Sequence, residues 1–373
     1  MFYTYINKEQ WKPRISIYDI FNNNTTTSQY SIGFTETKTI KTNKFLPYDI
    51  YTKRYENKTD KIIELSNKLK NLTPKYDLFS IPKKTGGLRH IAAPQPETSL
   101  YLNEIKHLLE NDLHLLSHNA AFAYVKGRCT KDALLKHVEH GSNFYLKIDL
   151  KDFFPSCNAD FIFKQLMQLQ IMASISRIYG EVIEECYKDI INYCLLDGGL
   201  PQGSPVSPLL TNLIMVPLDF YITKHCKEKG LCYTRYADDI LISGKENFNF
   251  NEEVNYLRGL FENHAPFKIN EKKTRYGSNK GKNWNLGLMI NQKNEITIGY
   301  RKKERLRATI FNFFNALTTG NSWDIVDVQA LQGTLSYYHK ISPQMVENTI
   351  KKYEQKFNMD FNSEVQKIIN PWQ

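Results

Sequence analysis

Nowhere in this sequence do eighteen apolar residues run together, so no segment is expected to span a bilayer. The opening stretch, MFYTYINKEQWKPR, lacks the charged-then-apolar layout of a secretory signal, and a cytoplasmic location with no membrane contact is the expectation. Its six cysteines, Cys129, Cys157, Cys186, Cys194, Cys226 and Cys232, contain no Cys-x-x-Cys pair and no matching histidine spacing. Zinc is therefore not indicated, and buried, reduced thiols are expected instead. No internal repeat is present. Acidic charge is the minority sign, since 39 Asp and Glu against 49 Lys and Arg leave a net charge of +10 and a pI near 9.0. That excess suits a polyanionic partner, although ordinary proteins carry it too.

What is present is a globular composition, 41% hydrophobic and 24% charged, in a chain of 373 residues that is long enough for two or three lobes. The basic residues concentrate. Between Phe267 and Arg307 twelve Lys and Arg stand against three Glu, with Tyr276, Trp284 and Tyr300 among them. Phosphate contacts plus base stacking would use that mixture, and a plain solvated face would also produce it.

Residues 22–44, rich in Asn and Thr, read as a loop or exposed ribbon ahead of the body. Helical spacing follows over 59–72, then a hairpin over 79–94 turning at Lys83-Lys84-Thr85-Gly86-Gly87, then a helix near 98–116. Residues 143–150 alternate as a strand ending in an acid, with helices expected over 159–170 and 175–196. A Gly- and Pro-rich loop leads into a long helix from about Ser204, and LCYTRYADDILIS reads as strand, turn, strand. A second hairpin is expected over 283–300 with its turn near Lys293-Asn294, then helices over 302–318, 325–340 and 343–357.

The chemistry gathers on acids. Asp238 and Asp239 sit side by side in a β-branched run, and Asp149 closes a strand about ninety residues earlier. Aspartate is disfavoured in strands, so each alone suits a turn or cap. Brought together at one sheet edge, three carboxylates would repel one another and raise each other's pKa unless a cation joined them. Mg²⁺ takes oxygen ligands and keeps waters for phosphate, and two such ions serve an in-line phosphoryl transfer.

In order, the chain carries IPKKTGGLRHIAAP, AFAYVKGRCTKDAL, YLKIDLKDFFPS, GLPQGSPVSPLLTNL, YTRYADD, EKKTRYG and WNLGLMIN. These seven colinear blocks resemble the reverse transcriptases, in particular the bacterial ones, over residues 75–345. The resemblance implies an α+β right-hand polymerase fold with fingers, a palm built on an antiparallel sheet, and a helical thumb. It places an N-terminal extension at 1–58, interleaved fingers and palm at 59–301, and the thumb and tail at 302–373. RNA-directed DNA synthesis is the implied activity, with two Mg²⁺ ions, or Mn²⁺ in their place, held by Asp149, Asp238 and Asp239.

The same resemblance gives Lys83 (or Lys84 in its stead) and Arg89 to the incoming dNTP on the fingers hairpin. Gln202 and Gly203 would face nucleotide and template, and Lys273 the leaving pyrophosphate, although Lys273 also reads as one more surface lysine. Phe154 would police the sugar, with one of Phe153 and Phe154 in the core and the other facing the site because strand neighbours point opposite ways. Tyr236 would pack by the primer end and Gly287 in the primer grip. The implied partners are an RNA template encoded alongside, the DNA product, and a companion protein or second copy.

Two motifs depart from retron enzymes. Asn285-Leu286-Gly287 stands where retrons usually have VTG, and KDALLKH stands in place of NAxxH. With the sequence stopping at Gln373, maturase and endonuclease functions have no evident home, and the compact defence-associated bacterial enzymes remain. An RNA-linked DNA product of retron type, and untemplated or protein-primed synthesis, are the alternatives within the fold. An RNA-dependent RNA polymerase more often has Gly before Asp-Asp and a smaller gate, so Ala237 and Phe154 weigh against it. The three intact acids weigh against a non-catalytic scaffold.

Overall fold

The computed structural model describes residues 48–83, 86–113, 117–169, 181–281, 284–321 and 323–370. The loop expected at 22–44, Lys84, and the start of the helix expected at 175 lie outside the described residues.

In chain order the elements are α1 (Tyr48–Leu69), the hairpin β1 (Tyr76–Pro82) and β2 (Leu88–Pro94), α2 (Pro96–Leu113) and α3 (Thr130–Glu139). Then come β3 (Phe144–Lys151), α4 (Ala159–Gln168), α5 (Glu181–Tyr193), α6 (Ser207–Glu228), β4 (Cys232–Tyr236), β5 (Asp239–Gly244) and α7 (Phe250–His264). Five short strands follow: β6 (Lys268–Ile269), β7 (Arg275–Ser278), β8 (Trp284–Asn285), β9 (Leu288–Ile290) and β10 (Ile296–Thr297). The chain closes with α8 (Tyr300–Thr318), α9 (Ile325–Ile341), α10 (Pro343–Phe357) and α11 (Phe361–Ile369).

These elements form two compact units. The first takes residues up to 129, 146–242 and 248–275; the second takes 130–145, 243–247 and 276 onward.

In the first unit the strands run in the order β4-β5-β3-β6, and β3 pairs antiparallel with β6 through Leu150↔Ile269 and Lys151↔Lys268. Helix α6 is apolar nearly all round (Leu210, Leu213, Ile214, Met215, Leu218 and Ile222 are buried), which makes it a core helix rather than a surface one. It begins at Ser207, three residues later than its pattern suggested, with Pro208 in the first turn where a missing N–H costs nothing. It packs against α2, α4 and β4. Asn158 caps α4 by accepting the Phe161 N–H, and Asn249 caps α7 by accepting that of Asn251. Helix α1 packs on α5, where the Ser66 hydroxyl donates to Asp189. The hairpin β1-β2 is in register from Tyr76↔Pro94 to Pro82↔Leu88 and leaves Leu78, Phe79, Ile81 and Leu88 exposed.

The loop after α5 is stitched down where β3 ends. The Leu200 N–H donates to the Phe154 carbonyl, and a side chain at Gly199 would put its Cβ 2.2 Å from the Pro155 carbonyl oxygen. Backbone cannot yield as a flexible side chain does. Gly199→Ala is therefore expected to cost about 1–3 kcal/mol by forcing the loop off Pro155. The neighbouring Gly198, with φ +79 and nothing within 4 Å, should cost only its backbone preference, about 1 kcal/mol. Urea unfolding of the two variants separates these effects.

In the second unit Leu306, Ile310, Phe313 and Phe314 of α8 meet Val328, Leu331 and Leu335 of α9, Val346 of α10, and Phe361 and Val365 of α11. Asp324 and Asp360 cap α9 and α11 by accepting the N–H groups of Asp327 and Ser363. Strands β8, β9 and β10 form a meander rather than the single hairpin expected over 283–300. The extra turn lies at Leu286 and Gly287, with φ 52 and 75, and the expected one shows at Asn294, with φ 59.

Helix α3 was not anticipated, nor were α7 and α11. It buries Ala133, Leu134 and His137 on one face. His137 shares a 2.5 Å hydrogen bond with Ser243, whose hydroxyl lies 2.7 Å from that of Ser142. Burial drops the imidazole pKa to about 3. A histidine kept neutral when folded leaves stability intact above its ordinary value of 6.5 and loses it as pH falls from there towards 3, by roughly 1.4 kcal/mol per unit, because only the unfolded chain takes the proton. The urea midpoint of wild type should thus fall more steeply between pH 6.5 and 4 than that of His137→Gln.

Candidate active site

A catalytic surface has to be assembled from strand ends that the sheet makes neighbours. Strands β3 and β5 lie side by side, and β5 joins β4 through a turn of two residues, Ala237 and Asp238. Ala237 sits at φ 57, a left-handed conformation rare for a residue with a Cβ. The Asp238 carbonyl accepts the Leu150 N–H at 3.1 Å, tying the turn to the residue after Asp149. The three acids named from the sequence are thus brought together.

Each is held differently. The Asp149 carboxylate, nearly buried, accepts from Lys273 Nζ at 2.9 and 3.1 Å and from Asn270 Nδ2 at 3.1 Å. Asp239 pairs with Lys147 Nζ at 3.1 Å. Asp238 is pushed up to about 6, by burial first and then by the charges of Asp239 and Asp149. Among the described residues no three His, Cys, Asp or Glu side chains are drawn together as metal ligands as they stand. Their donor chemistry nevertheless fits a hard dication, since the oxygens belong to carboxylates on β3 and at the neighbouring β4–β5 turn, one of them disfavoured as an anion.

Lys273 is therefore not simply one more surface lysine: its side chain is 60% exposed, yet its ammonium lies on Asp149. Lys147 and Asn270 were missed by sequence reasoning. The signal for Lys147 was its place two residues before Asp149, on the same face of β3.

Behind the turn lies a buried ionic network, also missed. Arg235 is fully buried; its guanidinium grips both oxygens of Asp219 at 2.8–3.2 Å, reaches Asn212 Oδ1 at 3.2 Å and donates to the Ala237 carbonyl at 3.3 Å. The Tyr233 hydroxyl donates to Asp219 at 2.6 Å. A carboxylate inside the otherwise apolar face of α6, sixteen residues before an arginine in a strand, was the legible hint.

Phe153 is in the core, against Phe267, and Phe154 is partly exposed, as a division of labour between them required. Strand alternation is not the reason, because β3 ends at Lys151 and both rings sit on a turn that follows Asp152, at φ 44. The Gln202 carbonyl accepts the Ala92 N–H of β2 at 2.8 Å, and at Gly203, with φ +126, a Cβ would lie 2.5 Å from the Ala92 carbonyl oxygen. The close approach at Gly203 is thus to the hairpin β1-β2. On that hairpin Arg89 pairs across with Ile81, and the Lys83 N–H donates to the Gly87 carbonyl at 2.9 Å. Tyr236 closes β4 before the turn. Gly287, in the second unit, occupies the β8–β9 turn, where its carbonyl accepts Lys302 Nζ at 2.5 Å.

One acid on a central strand, an acid pair at the neighbouring tight turn and a loop sewn to a basic hairpin define the palm and fingers of a nucleic-acid polymerase. The chain belongs to the reverse transcriptases: the family model described as reverse transcriptase (RNA-dependent DNA polymerase) matches residues 81–301. Its relatives include the retron Ec83 reverse transcriptase of Escherichia coli, 28% identical over 284 residues, covering 74% of this chain and 86% of the relative. The retron Ec73 enzyme of the same organism is 31% identical over 285 residues, with the same coverages. The retron Mx65 enzyme of Myxococcus xanthus is 28% identical over 290 residues, covering 74% of this chain and 64% of the relative. Among solved structures, the telomerase of Candida albicans with a TWJ fragment of telomeric RNA aligns at 14% identity with a TM-score of 0.48, covering 86% of this chain and 60% of the telomerase.

The chain is accordingly an RNA-directed DNA polymerase. Overall similarity runs to retron enzymes, while the two departing motifs weigh the other way. One of them, Asn285-Leu286-Gly287, leads into the β8–β9 turn, where Leu286 and Gly287 are left-handed. Among the described residues no helix is long and apolar enough to cross a membrane.

Proposed function

We propose that this reverse transcriptase copies a co-encoded RNA into DNA in the cytoplasm of a bacterium, in defence against phage. The observation that carries the catalytic part is the meeting of Asp149 on β3 with Asp238 and Asp239 at the β4–β5 turn, with Lys273 on the Asp149 carboxylate and Lys147 on that of Asp239. In this reading the three aspartates hold two Mg²⁺ ions, which when bound lower the barrier to attack by the primer 3′-hydroxyl and stabilise the leaving pyrophosphate.

The chain's own groups do the rest. Lys83 and Arg89 neutralise the triphosphate, and Lys273, already within reach of Asp149, supplies positive charge where pyrophosphate departs. Phe154 closes the space a ribose 2′-hydroxyl would need. Gln202 and Gly203 present nucleotide and template, Tyr236 packs at the primer end, and Gly287 lies in the primer grip. Defence rests on resemblance to the compact bacterial enzymes. The similarity to retron reverse transcriptases favours a second reading of the product, a DNA joined to its RNA.

Purification from the native locus, with sequencing of the co-purifying nucleic acid, tests both. Wild type should carry a defined cDNA matching a bound RNA, and Asp238→Ala should carry the RNA alone. A cDNA that stays joined to RNA under denaturing conditions and shortens on RNase treatment would favour the RNA-linked product. DNA without any matching RNA would overturn templated copying, and no DNA in either protein would overturn the polymerase role of the site.

A further inference from the structure

Tyr124 has an arrangement that no role assigned so far explains. Its backbone is left-handed, at φ 60, and the residue is 55% exposed. A bulky side chain in that conformation is a genuine outlier, and a half-exposed ring gives no core-packing reason to keep it there.

The surrounding chain enforces it. Residues 120–123 are buried and lie against β4: the Arg235 N–H donates to the Ala120 carbonyl at 2.6 Å, and the Phe122 N–H to the Arg235 carbonyl at 2.9 Å. Asn212 donates to the Ala123 carbonyl at 2.8 Å, one residue before the outlier. Beyond it, Arg128 turns the chain back by donating to the Ala121 and His118 carbonyls at 2.6 and 2.9 Å. The buried network that supports the catalytic turn thus fixes Tyr124 as well.

The ring is aimed at the site. It meets Phe154 edge to face, with centroids 6.4 Å apart and planes at 67°. Burial first, and then the charge of Asp238, push its phenol pKa up, with Arg89 acting the other way. Phe154 is only partly buried on its short turn, so something must keep its ring from swinging aside.

We infer that Tyr124 is a positioning residue for nucleotide selection: its ring backs Phe154 and holds it where a ribose 2′-hydroxyl would lie. The inference rests on the reading of Phe154 as the sugar gate. Without the backing ring, Phe154 gains room to rotate, and ribonucleotides enter more readily while deoxynucleotides are used nearly as before.

The test compares kcat/KM for dNTP and rNTP incorporation on one RNA template-primer in wild type, Tyr124→Gly, Tyr124→Phe, Phe154→Ala and the Tyr124→Gly, Phe154→Ala pair. Glycine suits φ 60, so Tyr124→Gly removes the ring without backbone strain. Its expected signature, a gain in rNTP use, cannot arise from misfolding. Selectivity for dNTP should fall roughly tenfold in Tyr124→Gly, mainly through a lower KM for rNTP, and further in Phe154→Ala. Tyr124→Phe should retain wild-type selectivity, and the double variant should be no worse than Phe154→Ala alone. Selectivity lowered in Phe154→Ala but unmoved in Tyr124→Gly would overturn the inference and leave the gate standing. Additive losses in the double variant would overturn action through Phe154. Selectivity unmoved in Phe154→Ala would remove the gate reading itself and this inference with it.

Discussion

Replacing Asp238 by Asn is expected to abolish DNA synthesis, by on the order of 10³-fold or more, and at the same time to make the metal-free protein more stable. The two effects have one cause. Burial and the neighbouring charges of Asp239 and Asp149 raise the Asp238 carboxyl from 3.8 to about 6, so the cost of its anion to the fold grows as pH rises from 3.8 and is complete above about 6. The sign is opposite to that of an ordinary salt-bridged aspartate: stability is fullest below pH 3.8 and falls as pH rises through 6. An uncharged amide of the same shape removes that cost, worth roughly 2–3 kcal/mol above pH 7. Thermal melts with EDTA should show the Asn variant above wild type, and millimolar Mg²⁺ should close the gap by raising wild type alone. Asp239→Asn should gain less, because Lys147 already pairs with that carboxylate. Activity lost without any gain in stability would mean that the three acids are less strongly coupled than their placement implies.

The second large effect belongs to a residue that touches no substrate. Arg235→Met leaves Asp219 charged, fully buried and without its bidentate partner, and should cost about 3–5 kcal/mol. Removing both charges in Arg235→Met, Asp219→Leu should recover much of this. The remainder, about 1–3 kcal/mol, reflects the Tyr233 hydroxyl and Asn212 Oδ1, which lose partners in the same network. Arg235→Lys should resemble the Met variant more than wild type, since a single ammonium cannot serve Asp219, Asn212 and the Ala237 carbonyl together. Guanidinium unfolding measures all three. The catalytic readout follows in order, because the left-handed Ala237 turn loses its guanidinium contact. A double variant that regains stability should therefore stay slow in nucleotide addition.

How much of this was legible in the sequence differs from element to element. The acid pair in YADD, the acid ending a strand and the order of the blocks between them were local signals, carried by residue type against strand propensity. They pointed to a polymerase and singled out three acids before any coordinates. Helices with a strong period, such as those starting at Tyr300, Ile325 and Pro343, were also readable to within a few residues. Helix α3 was not, because its short KDALLKH stretch buries a histidine on the face that should look apolar. The meander after Trp284 was read as one hairpin because Leu286, unlike Gly287, gives no sign that it will take a left-handed turn.

By itself, then, the sequence determined the family and its activity and singled out three acids as candidates, because those depend on which residues occur and in what order. Only the tertiary structure decided which cations rest on those acids, which buried arginine holds the turn beneath them, and which aromatic ring backs Phe154. Lys147 and Asp239 stand 92 positions apart, Lys273 and Asp149 124. No local pattern records a pairing across such distances; it exists only once the sheet order β4-β5-β3-β6 has brought β5 and the turn after β6 to either side of β3.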